Sequence, residues 1–428
     1  MRRRLLRMGS LLLVSVALAA TAATPEQTAS TLLDKLQAGD MAAAEAMFTP
    51  EMAKAVPAAS LKAVWQQMGG LKSRGTARVV PQQGMQVVLQ PLEFAAGPVN
   101  ASIAVDAEGR VAGLFFQPAR ATPPPPPVPA GASYREQELE INTTNGALPA
   151  TLAVPNGNGP FRAVVLVHGS GPQDRNETIG RNRPFLDVAR GLAAQGIAVL
   201  RYEKRTRVRP HDFSGDFTVD DEITDDAVAA VALLARTPAI DAKHIYVMGH
   251  SQGGMLAPRI ATRSGQVAGV VLWSAPARSL LDLMPEQHRH LFGLDGTISP
   301  EEQAVLDRLD TQIAAARGTA DVPASTLPLG LPAHYWRTLE QIDPVADAKG
   351  LQQPVLVLHG GRDFQVIDTD WTLWSRALSG TATLQRYDTL NHLGIAGDGP
   401  GSLAEYQQAG HVSTALIDDV ARWIEARS

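Results

Sequence analysis

Three side chains in this sequence have the types needed for nucleophilic acyl transfer: Ser251, Asp363 and His392. A serine hydroxyl is a weak nucleophile until a histidine takes its proton. The imidazole in turn needs a carboxylate to fix its tautomer and to stabilise the imidazolium that forms. Ser251 lies in Gly249-His250-Ser251-Gln252-Gly253. In a chain of 428 residues with 37 glycines, a Gly-x-Ser-x-Gly pattern arises by chance in roughly one such chain in seven. The pattern therefore gains meaning only from the elements that would position it.

Those elements favour chemistry. An apolar run ends at Met248 and stops at Gly249, so a strand has to reverse into a helix around Ser251. Such a turn holds the serine in a strained backbone conformation with its Oγ clear of the sheet, and small residues at Gly249 and Gly253 let strand and helix approach. The helix N-terminus then faces the site, where the backbone N–H of Gln252 can stabilise an oxyanion. Pro258 falls inside this helix and should loosen its second turn. Further apolar runs at 163–167, 197–202, 267–274, 354–360 and 382–388 alternate with helical segments at 184–196 and 220–237. Continuous apolar strands alternating with helices predict an α/β fold, a mostly parallel sheet covered by helices on both faces. Ligands bind at the carboxyl ends of such strands. Asp363 follows the penultimate strand and His392 the last, so all three candidates are delivered to one edge.

The alternation is broken between Ala275 and Gln353, where a single helix would suffice. Ser299-Pro300-Glu301-Glu302 has the form of a capping box and "PAHYWRTL" suggests a second helix, so a helical lid is expected over about 277–345.

The amino-terminal part is organised differently. Arg2, Arg3, Arg4 and Arg7 precede a short apolar run and an Ala20-Thr21-Ala22 site, which reads residues 1–22 as a signal peptide and the protein as exported, periplasmic or secreted. The apolar run is short for a membrane span of about 20 residues. Residues 25–118 read as a small α+β domain, helices first and then strands that include a hairpin around Gly109. The proline run 123–127 marks residues 119–131 as a stiff, extended linker, and 132–428 form the α/β domain.

Loss of the four arginines would take the formal net charge from −5 to −9, which argues against a nucleic-acid partner. The chain contains 0 cysteines, which excludes thiol catalysis and Cys-ligated zinc. No metal or organic cofactor is required by a serine mechanism.

Residues 151–428 resemble the α/β-hydrolase superfamily through "LVHGSGPQDRNETIG", "GIAVLRYEKRT", "GHSQGGMLAP" and "VLVLHGGRDFQV", with the chain order Ser, Asp, His. These stretches look like the dienelactone-hydrolase and serine-aminopeptidase-like esterase branch. The resemblance implies that a second oxyanion donor is the backbone N–H just after His168-Gly169, which is that of Ser170. The amino-terminal domain resembles nuclear-transport-factor-like (cystatin-like) modules. The expected function is a carboxylesterase acting on small acyl esters through an acyl-enzyme, and a serine exopeptidase or amidase is the alternative. A non-catalytic binding protein of the same fold is the remote one. An exopeptidase would need acidic lid residues, such as Glu301, Glu302, Asp307 and Asp310, to capture a free amine.

Other polar residues have plainer readings. His168 and His359 read as structural, His250 as the variable residue of the turn, and His288 and His290 as part of a solvated lid helix. Glu203, Lys204 and Arg205 either line the pocket or bridge one another. Trp371 and Trp374 should pack a helix on the sheet, whereas Trp336 either packs or touches substrate.

Overall fold

The computed structural model describes residues 23–82, 85–95, 97–118, 124–213 and 215–427, in two compact units that meet in sequence at Ala121 and Thr122. The expected signal segment, 1–22, lies outside the described residues.

The first unit begins with helices Pro25–Ala38, Met41–Glu45, Pro50–Ala55 and Ala58–Met68. Thr24 caps the first through a reciprocal capping box with Gln27. Strands β1 (Leu71–Arg74), β2 (Arg78–Gln82), β3 (Met85–Phe94), β4 (Gly97–Val105) and β5 (Val111–Pro118) follow and pair antiparallel, in the order β1-β3-β4-β5 with β2 also on β3. Leu32, Leu33 and Leu36, spaced for one helix face, pack on Val88, Phe94, Ala101 and Ile103 of the sheet. Helices followed by an antiparallel sheet is the arrangement expected from the sequence.

The second unit carries an eight-stranded sheet: β6 (Tyr134–Thr143), β7 (Gly146–Pro155), β8 (Phe161–Val167), β9 (Ala198–Tyr202), β10 (Ile240–His250), β11 (Gly269–Trp273), β12 (Val355–Gly360) and β13 (Thr383–Tyr387). Their spatial order is β6-β7-β9-β8-β10-β11-β12-β13. From β9 to β13 the pairing is parallel, and β6 and β7 join antiparallel at the edge. This hairpin escapes the sequence reading above, although Asn145-Gly146 is its turn signal; Gly146 has φ 117, which a side chain would resist.

Strands β8 to β12 are apolar on both faces because helices cover both. Val165, Val247, Leu272 and Val357 pack on one side with helices Asp225–Ala235 and Gln252–Ser264, while Leu166, Met248, Val271 and Leu358 pack on the other with helices Pro184–Ala194 and Thr414–Glu425. Pro258 lies within helix Gln252–Ser264, which runs on for six residues beyond it. Its neighbours Leu256, Ala257, Ile260 and Ala261 are all buried, and that packing outweighs the one hydrogen bond that proline cannot donate.

The inserted segment contains helices Leu280–Phe292, Pro300–Arg317, Ala333–Leu339 and Pro344–Gly350. The capping box forms as expected, with Glu302 N donating to Ser299 Oγ at 3.2 Å and Ser299 N donating to Glu302 Oε2 at 2.8 Å. Leu309, Ile313, Tyr335, Trp336 and Leu339 belong to the same apolar cluster as the sheet face. Trp336 is 0% exposed, so it packs. Arg278 ties the segment to helix Asp368–Ala377, pairing with Asp370 at 2.7 Å and with Glu286 of the segment at 2.8 Å.

The prolines of the linker are not wholly a free spacer. Arg183 Nη1 donates to the Pro124 carbonyl at 3.3 Å and Arg190 Nη2 to that of Pro126 at 2.8 Å. Val128 and Ala132 pack on Tyr134, Ala153 and Ala193. Among the described residues no helix is long and apolar enough to cross a membrane.

Leu272 is 0% exposed in the middle of β11, between β10 and β12. Leu272→Ala should lower the stability of the second unit by about 2–5 kcal/mol, read as a lower denaturant midpoint with little change in slope.

Candidate active site

The carboxyl edge of the sheet is where the loops after β8, β10, β12 and β13 converge. Ser251 links β10 to helix Gln252–Ser264 with φ 52 and ψ −122, a conformation disfavoured for a residue with a side chain. Its N–H is held by the Trp273 carbonyl at 2.9 Å and its carbonyl by Met255 N at 3.0 Å. Glycines make this turn possible. A Cβ on Gly249 would stand 2.1 Å from the Gly253 carbonyl oxygen, and one on Gly253 would stand 2.3 Å from that of Val167.

Asp363 and His392 meet directly. His392 Nδ1 lies 2.7 Å from Asp363 Oδ2, and both residues are buried. The other oxygen of Asp363 accepts from the backbone N–H groups of Gln365 at 2.8 Å and Val366 at 2.9 Å. Burial would push this carboxyl up, but the adjacent His392 and the amide donors outweigh it and hold Asp363 below the ordinary carboxylate range. An ionised Asp363 accepts a hydrogen bond from Nδ1–H of His392, which keeps the proton on Nδ1 and leaves Nε2 as the basic nitrogen. The loop bearing His392 is braced by Asn391. Its Oδ1 accepts from Leu393 N at 3.0 Å and its Nδ2 donates to Glu405 Oε2 at 3.0 Å.

The loop after β8, with Gly169 and Ser170, lies against Ser251: a Cβ on Gly169 would stand 3.1 Å from that of Ser251. Side chains along this loop pin it. Asp174 Oδ1 accepts from the N–H groups of Asn176 and Thr178, each at 3.0 Å. Arg175 bonds Glu203 at 2.8 Å and Thr151 at 2.6 Å, and Asn176 bonds the buried Arg201. Glu177, 0% exposed and with φ 49, accepts the Gly169 N–H at 2.7 Å.

His250 is not an indifferent filler of the turn. It is buried, its Nε2 lies 2.9 Å from the His392 carbonyl oxygen, and its Nδ1 lies 2.9 Å from Glu177 Oε2. With both residues buried, the contact becomes an ion pair when His250 is protonated. Burial would lower the His250 pKa, but the Glu177 carboxylate more than offsets this and raises it; burial would raise Glu177, and His250 lowers it. Glu177 and His250 thus join the loop after β8 to the loop bearing His392. Nothing in a single sequence marks Glu177 apart from its neighbours; a buried glutamate with positive φ becomes visible only in the fold.

The remaining residues also find places. His168 Nε2 meets the Asp174 carbonyl at 3.1 Å, and His359 Nε2 lies 3.3 Å from Asp368 while its ring stacks on Trp371, which are structural roles. His290 is no solvated lid residue: Nε2 contacts the Gly401 carbonyl at 2.7 Å and its ring stacks on Phe364. Glu203, Lys204 and Arg205 do not pair with one another. They pair with Arg175, Glu222 and Asp226. Trp374 packs against the sheet and donates Nε1–H to the Ala275 carbonyl at 2.8 Å. In the lid, Glu301, Asp307 and Asp310 are exposed and Glu302 is spent on its cap. Among the described residues no group of three or more His, Asp or Glu side chains is arranged to hold a metal ion.

The serine turn follows β10, the aspartate β12 and the histidine β13. Residues 158–396 match the Hydrolase_4 family, described as serine aminopeptidase, S33. The chain belongs to that family. It is a hydrolase acting on esters, being 38% identical over 375 residues to Esterase EstD of Thermotoga maritima, across 85% of this chain and 87% of that one. It is also 31% identical over 219 residues to a non-heme chloroperoxidase of Streptomyces lividans, across 44% of this chain and 75% of that protein. Est1E of Butyrivibrio proteoclasticus, solved with ferulic acid bound, aligns over 68% of this chain and 98% of its own with a TM-score of 0.45 at 18% identity. Residues 29–114 of the first unit match DUF3887, a family of unknown function.

Burial lowers the His168 pKa from 6.5 to about 4, so the ring stays neutral in the fold where the unfolded chain would protonate it. Stability should therefore fall as pH drops from 6.5 towards 4, by about 3 kcal/mol for this group. Glu177 and Asp363, held low, lose their contribution only as pH falls further, below the usual carboxylate range, and His250 loses its contribution on the alkaline side. In pH-dependent chemical unfolding, His168→Gln should flatten the slope between pH 6.5 and 4.

Proposed function

We propose that this esterase works through Ser251, His392 and Asp363, with the backbone N–H groups of Gln252 and Ser170 receiving the oxyanion, on small acyl esters. The observation that carries this is the 2.7 Å contact between His392 Nδ1 and Asp363 Oδ2 at the edge where the strained Ser251 turn emerges. His392 Nε2 accepts the Ser251 proton as Oγ attacks the acyl carbon, and the imidazolium returns it to the leaving alkoxide. Water, deprotonated in the same way, then releases the acyl group from Ser251. The Ser251 turn, at the head of helix Gln252–Ser264, supplies an oxyanion donor that is already oriented before substrate arrives. An exopeptidase would need converging acidic side chains for a free amine, whereas Glu301, Asp307 and Asp310 are exposed and Glu302 caps a helix. We further propose that residues 1–22 direct export, supported by the arginines ahead of an apolar run and an Ala-x-Ala site.

Ser251→Ala should abolish hydrolysis of 4-nitrophenyl acetate and butyrate in a folded protein, and Asp363→Asn should lower kcat by about 10⁴-fold. Full activity in the alanine variant would end the triad proposal. Aminoacyl anilides should be turned over far more slowly than the acyl esters. Expressed from the full-length gene in a bacterium, the protein should appear outside the cytoplasm with its first 22 residues removed, as intact-mass measurement would show.

A further inference from the structure

A buried chain of polar side chains connects the Gly169–Ser170 peptide to the side chain of Gln252, the two residues Ser170 and Gln252 being those proposed above to receive the oxyanion. Lys204, at the carboxyl end of β9, is 2% exposed, and its Nζ donates to the Gly169 carbonyl at 2.9 Å. The same ammonium is 2.7 Å from Glu222 Oε1. Tyr335, from the inserted segment, donates its hydroxyl to Glu222 Oε2 at 2.9 Å and accepts from Gln252 Nε2 at 2.8 Å. Lys204, Glu222, Tyr335 and Gln252 are all buried, so the links act in a low dielectric.

The Gly169 carbonyl and the Ser170 N–H belong to one peptide plane. That peptide is trans, since among the described residues the cis bond is Gly159–Pro160. In a trans peptide, C=O and N–H point in opposite directions. A cation fixed on the Gly169 oxygen therefore turns the Ser170 N–H away from Lys204. It also draws electron density toward the oxygen, which leaves the N–H a stronger donor. The Gly169 N–H is held independently by Glu177 Oε1 at 2.7 Å, so rotation of the segment is blocked from both sides.

We propose that Lys204 is a positioning residue for the oxyanion site: its ammonium orients and polarises the Gly169–Ser170 peptide, and Glu222 with Tyr335 couples it to Gln252. This rests on the proposal that the Ser170 and Gln252 amides receive the oxyanion. The effect belongs to the transition state, because a neutral ground-state carbonyl gains little from a stronger donor.

The test compares Lys204→Met with the double variant Lys204→Met/Glu222→Gln, in which no carboxylate is left buried without its partner. Both are assayed on 4-nitrophenyl butyrate and titrated with an alkyl trifluoromethyl ketone, which adds to a serine to give a tetrahedral oxyanion. In whichever variant folds, kcat should fall about 10–100-fold with KM within about threefold, and ketone affinity should fall in step with kcat. Tyr335→Phe, which keeps the lysine, should produce a smaller loss of the same kind. Wild-type kcat and ketone affinity in a folded Lys204 variant would overturn the proposal, as would a loss confined to KM. Ser251→Ala, run in parallel, separates the two ideas. If it is inactive while the Lys204 variants match wild type, this inference alone fails; if it keeps full activity, the triad fails and this inference falls with it.

Discussion

The turn at Ser251 exists because strand β10 and the helix after it come closer together than side chains would allow. A Cβ at Gly249 or at Gly253 would lie within 2.1 to 2.3 Å of a backbone oxygen, so the approach is open to glycine alone. Positive φ at Ser251 costs on the order of 1–3 kcal/mol, and the chain cannot relax it without breaking the Ser251 N–H bond to Trp273 in β11. The surrounding fold therefore has to be rigid. Strands with apolar side chains on both faces, each clamped by helices, provide that rigidity.

Around the turn the loops are held by polar side chains rather than by apolar ones. Asp174, Arg175, Asn176 and Glu177 each bond a different part of the structure, from the loop itself to β7, β9 and the residue before Ser251. Such networks cost desolvation, and they stabilise little compared with a well-packed apolar core. Their advantage is direction: a hydrogen bond fixes where a peptide points, whereas an apolar contact fixes chiefly that it is covered. An ester hydrolase needs its donors aimed before the substrate arrives, which gives a physical reason for concentrating buried charge at one sheet edge.

The parallel strands were legible in the sequence because burial on both faces writes a continuous apolar run, and the order of Ser251, Asp363 and His392 was legible because each closes such a run. The edge hairpin β6–β7 was missed because β6 carries many charges, Arg135, Glu136, Glu138 and Glu140, β7 is interrupted by Pro149, and the turn signal is a single Asn145-Gly146. Glu177, Glu222 and Tyr335 were missed for another reason. They lie 74, 29 and 84 residues from Ser251 in the chain, and nothing in their local pattern distinguishes a buried carboxylate or phenol from a solvated one. His250 was undervalued because a motif written Gly-x-Ser-x-Gly treats its x as free. Here that position holds the loop after β13 through the His392 carbonyl.

The inserted segment shares its apolar side chains with the main core, and Trp336 is sealed within it. Swinging that segment outward as a flap would bring Trp336, Leu309, Ile313 and Leu339 into water together. At about 1.5–3 kcal/mol for each large apolar side chain, this approaches the whole stability of an ordinary domain. The segment therefore behaves as a wall. Its place is fixed by the same burial that holds the sheet together, rather than by a hinge.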